Sequence, residues 1–459
     1  MIMHNMKEFD LVVIGGGSGG VRAARIAALH GAKVALCEKD RMGGTCVIRG
    51  CIPKKILFYS SQYQNILSNA GAYGWNIKNI SKNYIKLVEN KNLELKRLES
   101  IYAKNAKKAG VKIFYNEAFL KTKNIVKVGN NELFAKKVII ATGGIPKDLS
   151  IEGKEYYINS DQIMELKKIP KKLSIIGSGY IAIEFAFIFA SLGSKVSLIC
   201  RKDLLRGFDA NLISLTKDML LSKGINIYLN EEVKKIFVKN KTKVLLLKKS
   251  RKSFYCDEVL VAIGRKANVK SLNLKKIGIR TTKQEAIKVD TNLKTNINNI
   301  FAIGDVTDRF NLTPVAIAEG NYLSDKLFGK YKNNRVSLKN IGTAVFSSPP
   351  ISSIGPTEKE ALKQYKNIDV YESKFTSLKY SIVNNKIPTY IKLLVNSNNN
   401  RIIAAHMLGE EAPEIIQILA IAIQANATIK NFNDTMAIHP TVAEEFVTFK
   451  GPSRKLKRV

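Results

Sequence analysis

The chain has 459 residues, 45% of them hydrophobic and 24% charged, with 74 Lys and Arg against 38 Asp and Glu for a formal net charge of +36. At about 150 residues per domain, this length gives roughly three domains with ample core, and the composition excludes disordered and fibrous classes. The longest apolar stretch, Ile181 to Leu192, is broken by Glu184 and is shorter than the ~20 residues a membrane span needs, so no membrane association is expected.

The N-terminus, MIMHNMKEFD, carries no apolar run of the signal-peptide kind, so a cytoplasmic location is expected. Phe9–Ile14 is apolar and reads as a strand. Gly15-Gly16-Gly17-Ser18-Gly19-Gly20 follows, then a helical stretch over Val21–His30, a stop at Gly31, a strand over Lys33–Cys37, and Glu38. G-x-G-x-x-G between a strand and a helix, with a trailing acid, is a dinucleotide fingerprint. Gly15, Gly17, Gly19 and Gly20 let the backbone approach a pyrophosphate at the helix N-terminus, and Glu38 suits a ribose hydroxyl. The competing reading is a glycine-rich structural turn. This first unit suits FAD.

Gly43-Gly44-Thr45-Cys46-Val47-Ile48-Arg49-Gly50-Cys51-Ile52-Pro53-Lys54-Lys55 comes next, ahead of a helical stretch over Ile56–Leu67. Cys46 and Cys51 are close enough in sequence to form a local disulfide. A helix N-terminus and Arg49, Lys54 and Lys55 favour a thiolate, which can pass a flavin's electrons on by thiol–disulfide exchange. The other reading is a pair of reduced structural cysteines. Cys37, Cys200 and Cys256 stand alone, a usage that fits a reducing compartment. The four histidines (His4, His30, His406, His439) avoid the cysteines, and no metal site is expected.

A long polar helix is predicted over Lys82–Ala109, closed by Gly110. The nucleotide unit then recurs: a strand over Leu173–Ile176, Gly177-Ser178-Gly179-Tyr180-Ile181-Ala182, a helix to Leu192, and a strand over Lys195–Cys200. Arg201 and Lys202 replace the acid, with Arg206 nearby. Guanidinium groups grip a 2′-phosphate that an acid would repel, so this unit suits NADPH rather than NADH; surface cations of a +36 chain are the alternative. A strand over Val259–Ala262 leads to Gly264 and Arg265, and Asn299–Asp305 reads as a strand ending in glycine and an acid. From about Ser337 strands and helices mix, and Ile415–Gln424 reads as a core helix. The high charge suggests a nucleic-acid binder, but Lys, Asn and Ile are abundant throughout and no zinc-finger or RNP-like signature is present. Nucleic-acid binding is not expected.

In order, these motifs resemble the glutathione-reductase branch of the pyridine nucleotide–disulfide oxidoreductases. GGGSGG with Glu38 resembles its FAD motif, GGTCVIRGCIPKK its redox-active segment, and Ala141–Gly144 its linker to the NADPH domain. GSGYIA with Arg201 and Arg206 resembles the NADPH motif. AIGD with Leu312–Ala316 resembles the second FAD motif, and His439–Glu445 (HPTVAEE) the C-terminal catalytic motif. The resemblance implies an α/β fold with two Rossmann-like domains plus a C-terminal α+β dimerisation domain. The FAD domain would comprise 1–146 and 265–336, the NADPH domain 147–264 and the dimerisation domain 337–459.

The resemblance also implies roles. Cys51 is the charge-transfer thiol and Cys46 the interchange thiol. Lys54 pairs with Glu184 beside the flavin, and Tyr180 covers the nicotinamide pocket. His439, oriented by Glu444, handles the leaving thiol's proton on the other subunit's dithiol, which implies a homodimer. Ser18, Gly44, Thr45, Ala118, Thr142, Gly143, Asp305 and Thr313 fall at FAD positions, and Ile181 and Gly264 at NADPH positions. Ser18, Arg25 and Tyr102 fall at positions that contact glutathione disulfide, whose anionic character suits a cationic pocket. Another small disulfide, trypanothione-like, is the alternative substrate. Dihydrolipoamide dehydrogenases carry Ser where Lys54 stands and an acid where Arg201 stands. The chain departs from the pattern at Asn321, where some glutathione reductases have a substrate-contacting arginine, at Asn116, and in the short spacing of Arg201 and Arg206.

Overall fold

The apolar run Phe9–Ile14 lies in the middle of a parallel sheet, where both faces of a strand are covered. The computed structural model describes residues 6–329 and 336–458. His4, the start of the expected N-terminal segment, residues 330–335 of the expected 265–336 segment and Val459 lie outside these. Strand β1 (Lys7–Ile14) pairs in parallel with β2 (Val34–Glu38) on one side and with β6 (Asn131–Ile140) on the other, with Ile14 opposite both Cys37 and Ile140. β3 (Lys112–Tyr115) extends the sheet beyond β2. The antiparallel pair β4 (Ala118–Leu120) and β5 (Ile125–Val128) flanks the start of β6, and Ile300–Ala302 runs parallel to its end.

Helix α1 (Ser18–Leu29) begins at Ser18 rather than Val21, because extended Gly17 acts as its N-cap and the following glycines sit in the first turn. It packs against the helix Thr313–Phe328 through Gly320, where a Cβ would come 2.7 Å from the Gly19 carbonyl oxygen. Two helices carry the cysteine segment: the short α2 (Gly44–Arg49) and the long α3 (Cys51–Asn69). The sequence suggests a helix only from Ile56. Pro53 does not block the earlier start, since a first-turn residue has no intrahelical acceptor for its N–H anyway. The polar helix α4 spans Tyr84–Lys108.

The second unit forms its own five-stranded parallel sheet, in the order Asn226–Leu229, Lys195–Cys200, Lys172–Ile176, Glu258–Val261, Ile158–Asn159. Three antiparallel strands (Val233–Lys239, Thr242–Leu247, Ser253–Cys256) cover one face. On the other lies α5 (Tyr180–Ser191), which is apolar on nearly every side and buried accordingly. Its phenylalanines share a core with Leu57 and Phe58 of α3 and with Val345 and Tyr390 further along the chain. The strands Gly144–Pro146 and Arg265–Ala267 pair where the chain enters and leaves this unit.

The C-terminal part is a six-stranded antiparallel sheet with helices on it, an α+β arrangement. Its helix Ala412–Gln424 buries Ile416, Leu419 and Ile423 but leaves Ile418 and Ile421 exposed. The helix read as core is therefore apolar on a second, uncovered face. Among the described residues no helix is long and apolar enough to cross a membrane.

Candidate active site

At the end of β1 the chain turns through Gly15 in the left-handed region (φ +108°), where a Cβ would collide with the Ala141 carbonyl. The Gly16 N–H donates to Glu38 Oε2 at 2.6 Å, and the Asp40 N–H donates to Oε1 at 2.8 Å. Burial pushes the Glu38 carboxyl up, against the Gly16 and Lys39 amides and the Arg49 and Lys39 cations. Gly43 donates its N–H to the Gly16 carbonyl at 2.8 Å, and a Cβ on Gly44 would come 2.7 Å from Gly17 Cα. The cysteine segment is thus pressed against the glycine turn.

α1 has no side-chain cap, a Cβ on Gly17 would touch little, and the buried Ser18 Oγ has no hydrogen-bond partner. Thr142 Oγ1 donates to the Asn268 carbonyl at 2.7 Å, Ala118 opens β4, and Asp305 lies in the turn Gly304–Thr307. An uncapped helix end, a cradle of bare backbone, an orphaned hydroxyl and a fixed acid fit a dinucleotide of the FAD kind.

Cys46 lies within α2, and Cys51 is the first residue of α3; both are free. The neighbouring Cys46 thiol, joined by Thr313 and Lys54 and opposed by burial and Glu184, draws the Cys51 thiol down to about 6. Cys46 is pushed up by Cys51 and by burial. Cys51 Sγ lies 3.6 Å from Thr313 Oγ1.

One turn into α3, Lys54 donates to Glu184 Oε1 of α5 at 2.7 Å, with side chains only 12% and 4% exposed. The same carboxylate oxygen accepts the Phe346 N–H at 3.0 Å, and Lys54 Nζ stands 4.0 Å from the Phe346 ring centre. Tyr180, at the first turn of α5, is exposed beside this pair. Arg265 donates to the Gly144 carbonyl at 2.6 Å and lies 3.3 Å from Asp161 and 3.4 Å from Thr45. Phe346, Asn268, Arg265 and Asp161 were not singled out for the site from sequence; all meet it from distant segments.

In the second unit Gly177 takes φ +145°, where a Cβ would meet the Ala262 carbonyl, while Gly179 faces open space and caps α5 without a side-chain bond. Ile181 follows in the first turn, and Gly264 (φ +109°) stands just before the strand Arg265–Ala267. Arg201, Lys202 and Arg206 are exposed and, among the described residues, make no ion pair. Between them, Leu205 donates its N–H to the Ser178 carbonyl at 2.8 Å.

Ser18, Arg25 and Tyr102 come together in one recess with Val21, Arg22 and Ile317. Arg25 Nε is buried without a partner. Burial and Cys46 raise the Tyr102 hydroxyl, and Arg22 and Arg25 oppose them. Arg22 also escaped the sequence reading, although residues 18, 22 and 25 share one helix face at spacings of four and three. At the C-terminus, His439 Nδ1 lies 3.1 Å from Glu444 Oε2, across a turn that leads into Ala443–Phe446. The Thr441 N–H donates to Glu444 Oε1 at 3.2 Å. The His439 side chain is 80% exposed and has no hydrogen bond to Cys46 or Cys51. His406 is buried against Ser353 and the Pro356 carbonyl, and His30 pairs with Asp325 on the surface. Among the described residues no three or more His, Cys, Asp or Glu gather as a metal site would require.

The family model described as pyridine nucleotide-disulphide oxidoreductase matches residues 9–320, and that of the same family's dimerisation domain matches 341–449. The glutathione reductase of Burkholderia cepacia is 41% identical over 445 residues, covering 96% of this chain and 98% of that protein. Those of Nostoc sp. and Pisum sativum are 40% and 39% identical, covering 96% and 98% of this chain and 99% and 84% of theirs. Among solved structures, the HOCl-induced flavoprotein disulfide reductase RclA from Escherichia coli superposes with a TM-score of 0.86 at 26% identity. It covers 96% of this chain and 99% of its own.

Proposed function

The chain belongs to the pyridine nucleotide-disulphide oxidoreductase family, and on that premise we infer that it is an FAD-dependent glutathione-disulfide reductase driven by NADPH. The observation that carries this reading is the Cys46–Cys51 pair, its second thiol drawn down to about 6, set against the Lys54–Glu184 ion pair and one helix away from a cationic recess. The net reaction is NADPH, one proton and one disulfide giving NADP⁺ and two thiols.

FAD supplies the two-electron relay between nicotinamide and dithiol. Gly15, Gly17, Gly19, Gly20, Glu38 and Ala118 would hold its nucleotide half; Gly44, Thr45, Thr142, Gly143, Asp305 and Thr313 would line the rest. Gly177, Gly179, Ile181, Gly264, Arg201 and Arg206 would hold NADPH, with Tyr180 over the nicotinamide pocket. Once reduced, Cys51 keeps the negative charge, stabilised by the Cys46 thiol, Thr313 and Lys54. Cys46 gives up its proton to His439 and attacks one sulfur of glutathione disulfide, forming a mixed disulfide. The S–S bond breaks, and the leaving thiolate takes that proton back from His439. The Cys51 thiolate then attacks Cys46 Sγ, closing the disulfide and expelling the second glutathione as a thiolate, which takes up the one proton of the net reaction. Arg25, Tyr102 and Ser18 position the anionic substrate.

The acting imidazole is the partner subunit's His439. In support, this chain's own His439 is exposed and makes no hydrogen bond to its dithiol, and the apolar Met436 and Ile438 beside it are 91% and 77% exposed. With Ile418 and Ile421 they form apolar surface that a second copy would cover. The proposed domain limits, 1–146 with 265–336, 147–264 and 337–459, follow the strand pair Gly144–Pro146 and Arg265–Ala267 that brackets the insert. A reducing, cytoplasmic setting is supported by free Cys37, Cys200 and Cys256.

The test is steady-state oxidation of NADPH and NADH by the FAD-loaded protein, with glutathione disulfide and oxidised lipoamide as alternative acceptors. Turnover confined to NADPH and glutathione disulfide is expected. Reduction of the flavin without reduction of glutathione disulfide would preserve the dithiol chemistry and overturn the substrate.

A further inference from the structure

Lys392 lies in the middle of the strand Pro388–Asn396, and its side chain is 0% exposed. Its ammonium donates to Asp209 Oδ1 at 2.7 Å, to Asn211 Oδ1 at 2.9 Å and to Glu358. Arg454 forks onto Glu358, 3.0 Å from Oε2, and donates through Nε to Glu372 Oε1 at 2.8 Å. Tyr390 donates to Glu372, which also lies 4.0 Å from Lys392. Two cations and three carboxylates thus form one cluster, buried at Lys392 and Asp209 and partly exposed at Glu358, Glu372 and Arg454. Burial raises Glu358 and Glu372, but the hydrogen bonds from Arg454, joined by Lys392 at Glu358 and by Tyr390 at Glu372, outweigh it and hold both below the ordinary carboxylate range.

The cluster joins three parts of the chain. Arg454 opens the last strand, Arg454–Lys457, which covers the edge of the C-terminal sheet beside Asn367–Thr376. Lys392, Glu358 and Glu372 belong to the body around that sheet. Asp209 belongs to the second nucleotide unit, where it is 1% exposed and caps the helix Ala210–Ser222 by accepting the Asn211 N–H at 3.1 Å. Three residues before Asp209 stands Arg206. The loop back to Arg201 is also held by buried Leu204 and Leu205, by the Leu205–Ser178 bond, by the Phe208 N–H donating to the Leu205 carbonyl at 3.0 Å, and by Leu205's own left-handed backbone (φ +47°), a conformation a leucine holds only when its surroundings impose it.

We propose that the Lys392–Arg454 cluster positions the 2′-phosphate loop: by clamping Asp209 from the C-terminal sheet, it holds Arg201 and Arg206 where they meet the phosphate, so NADPH selectivity depends on the chain's last strand. Lys392 and Arg454 are positioning residues that touch neither cofactor nor substrate. The proposal rests on the reading of Arg201 and Arg206 as phosphate ligands.

The experiment uses the full-length, FAD-loaded enzyme and measures KM for NADPH and for NADH at saturating glutathione disulfide. Arg454→Gln should raise KM for NADPH about fivefold while leaving kcat and the KM for NADH unchanged, because NADH has no 2′-phosphate for the loop to meet. Arg454→Lys, which keeps the charge but not the fork, should recover part of the loss. Asp209→Asn keeps a capping side chain and weakens the clamp, so it should shift KM in the same direction; it decides the matter if Arg454→Gln fails to fold. An unchanged KM for NADPH, or an equal rise for both nucleotides, overturns the proposal by reducing the cluster to a structural brace. Equal use of NADPH and NADH by the unmodified enzyme would instead remove the phosphate reading itself, and this proposal with it, before any variant is made.

Discussion

The two nucleotide units share a turn and differ in what ends the strand after it. In the first, the acid at that place is gripped by backbone amides: Gly16 of the turn and Asp40, two residues beyond the acid, both donate to Glu38. In the second, Arg201 and Arg206 stand in the open with no carboxylate partner among the described residues. A short carboxylate reaches back to neighbouring backbone donors and is set before any ligand arrives. A guanidinium finds no such local acceptor there, so its position must be imposed by the loop that carries it. Identical glycine geometry therefore serves two cofactors, and the discriminating residue is prepared locally in one unit and remotely in the other.

The sharpest break between the units comes at the dithiol they share. Cys46→Ser should lower glutathione-disulfide turnover on the order of 10³-fold or more while electron entry persists, measured as NADPH oxidation with an artificial one-electron acceptor. Retained disulfide turnover would mean that the entry and exit chemistry do not meet at Cys46. His439→Ala should cost roughly 10²–10³-fold in kcat, the usual share of a general acid–base group. Mixed dimers of His439→Ala and Cys46→Ser chains should regain activity, since one of their two sites then has both groups; no recovery would place the imidazole in the same chain.

Reversing the charge of the second unit tests the comparison directly. Arg201→Glu with Arg206→Glu should lower kcat/KM for NADPH about 10²-fold, the worth of two charge-assisted hydrogen bonds, and spare NADH. Arg22→Ala should raise KM for glutathione disulfide about threefold with the nucleotide constants unmoved, because a partly screened guanidinium contributes modestly. The smallest effect is in pH. Cys51 is held at about 6, below its ordinary 9.0, so the reduced enzyme keeps its thiolate at neutral pH and loses half of it as pH falls through about 6. Ultraviolet thiolate absorbance should titrate there and vanish in Cys51→Ser; a midpoint near 9 would mean that the Cys46 thiol does not stabilise it.

Much of the architecture was legible in the sequence because it is local. A glycine turn, its strand and its helix lie within about 25 residues, and the cysteines are five apart. Helix starts were less so. The six residues of α2 have no periodicity to read, and Pro53 suggests a later start than the structure adopts. Of the site, motif residues could be placed, but their partners could not. The Phe346 amide reaches Glu184 across 162 positions, and Lys392 reaches Asp209 across 183. In YIKLLV, Lys392 reads as an edge or surface lysine, and only the opposing Asp209 and Glu358 make its burial tolerable. Ile418 and Ile421 mislead in the other direction, since apolar residues on every side of a helix look like core until the covering surface is missing.

The helix α5 brings the second unit's core into continuity with α3 and with the C-terminal sheet. Residues 147–264 are bracketed like a removable cassette, yet they cannot be exchanged like one. A donor unit grafted between Gly144–Pro146 and Arg265–Ala267 would have to bring side chains that fit Leu57, Phe58 and Tyr390, and a glutamate at the place of Glu184. Recombination between relatives is therefore constrained far more by this internal seam than by the two short strands where the chain crosses over.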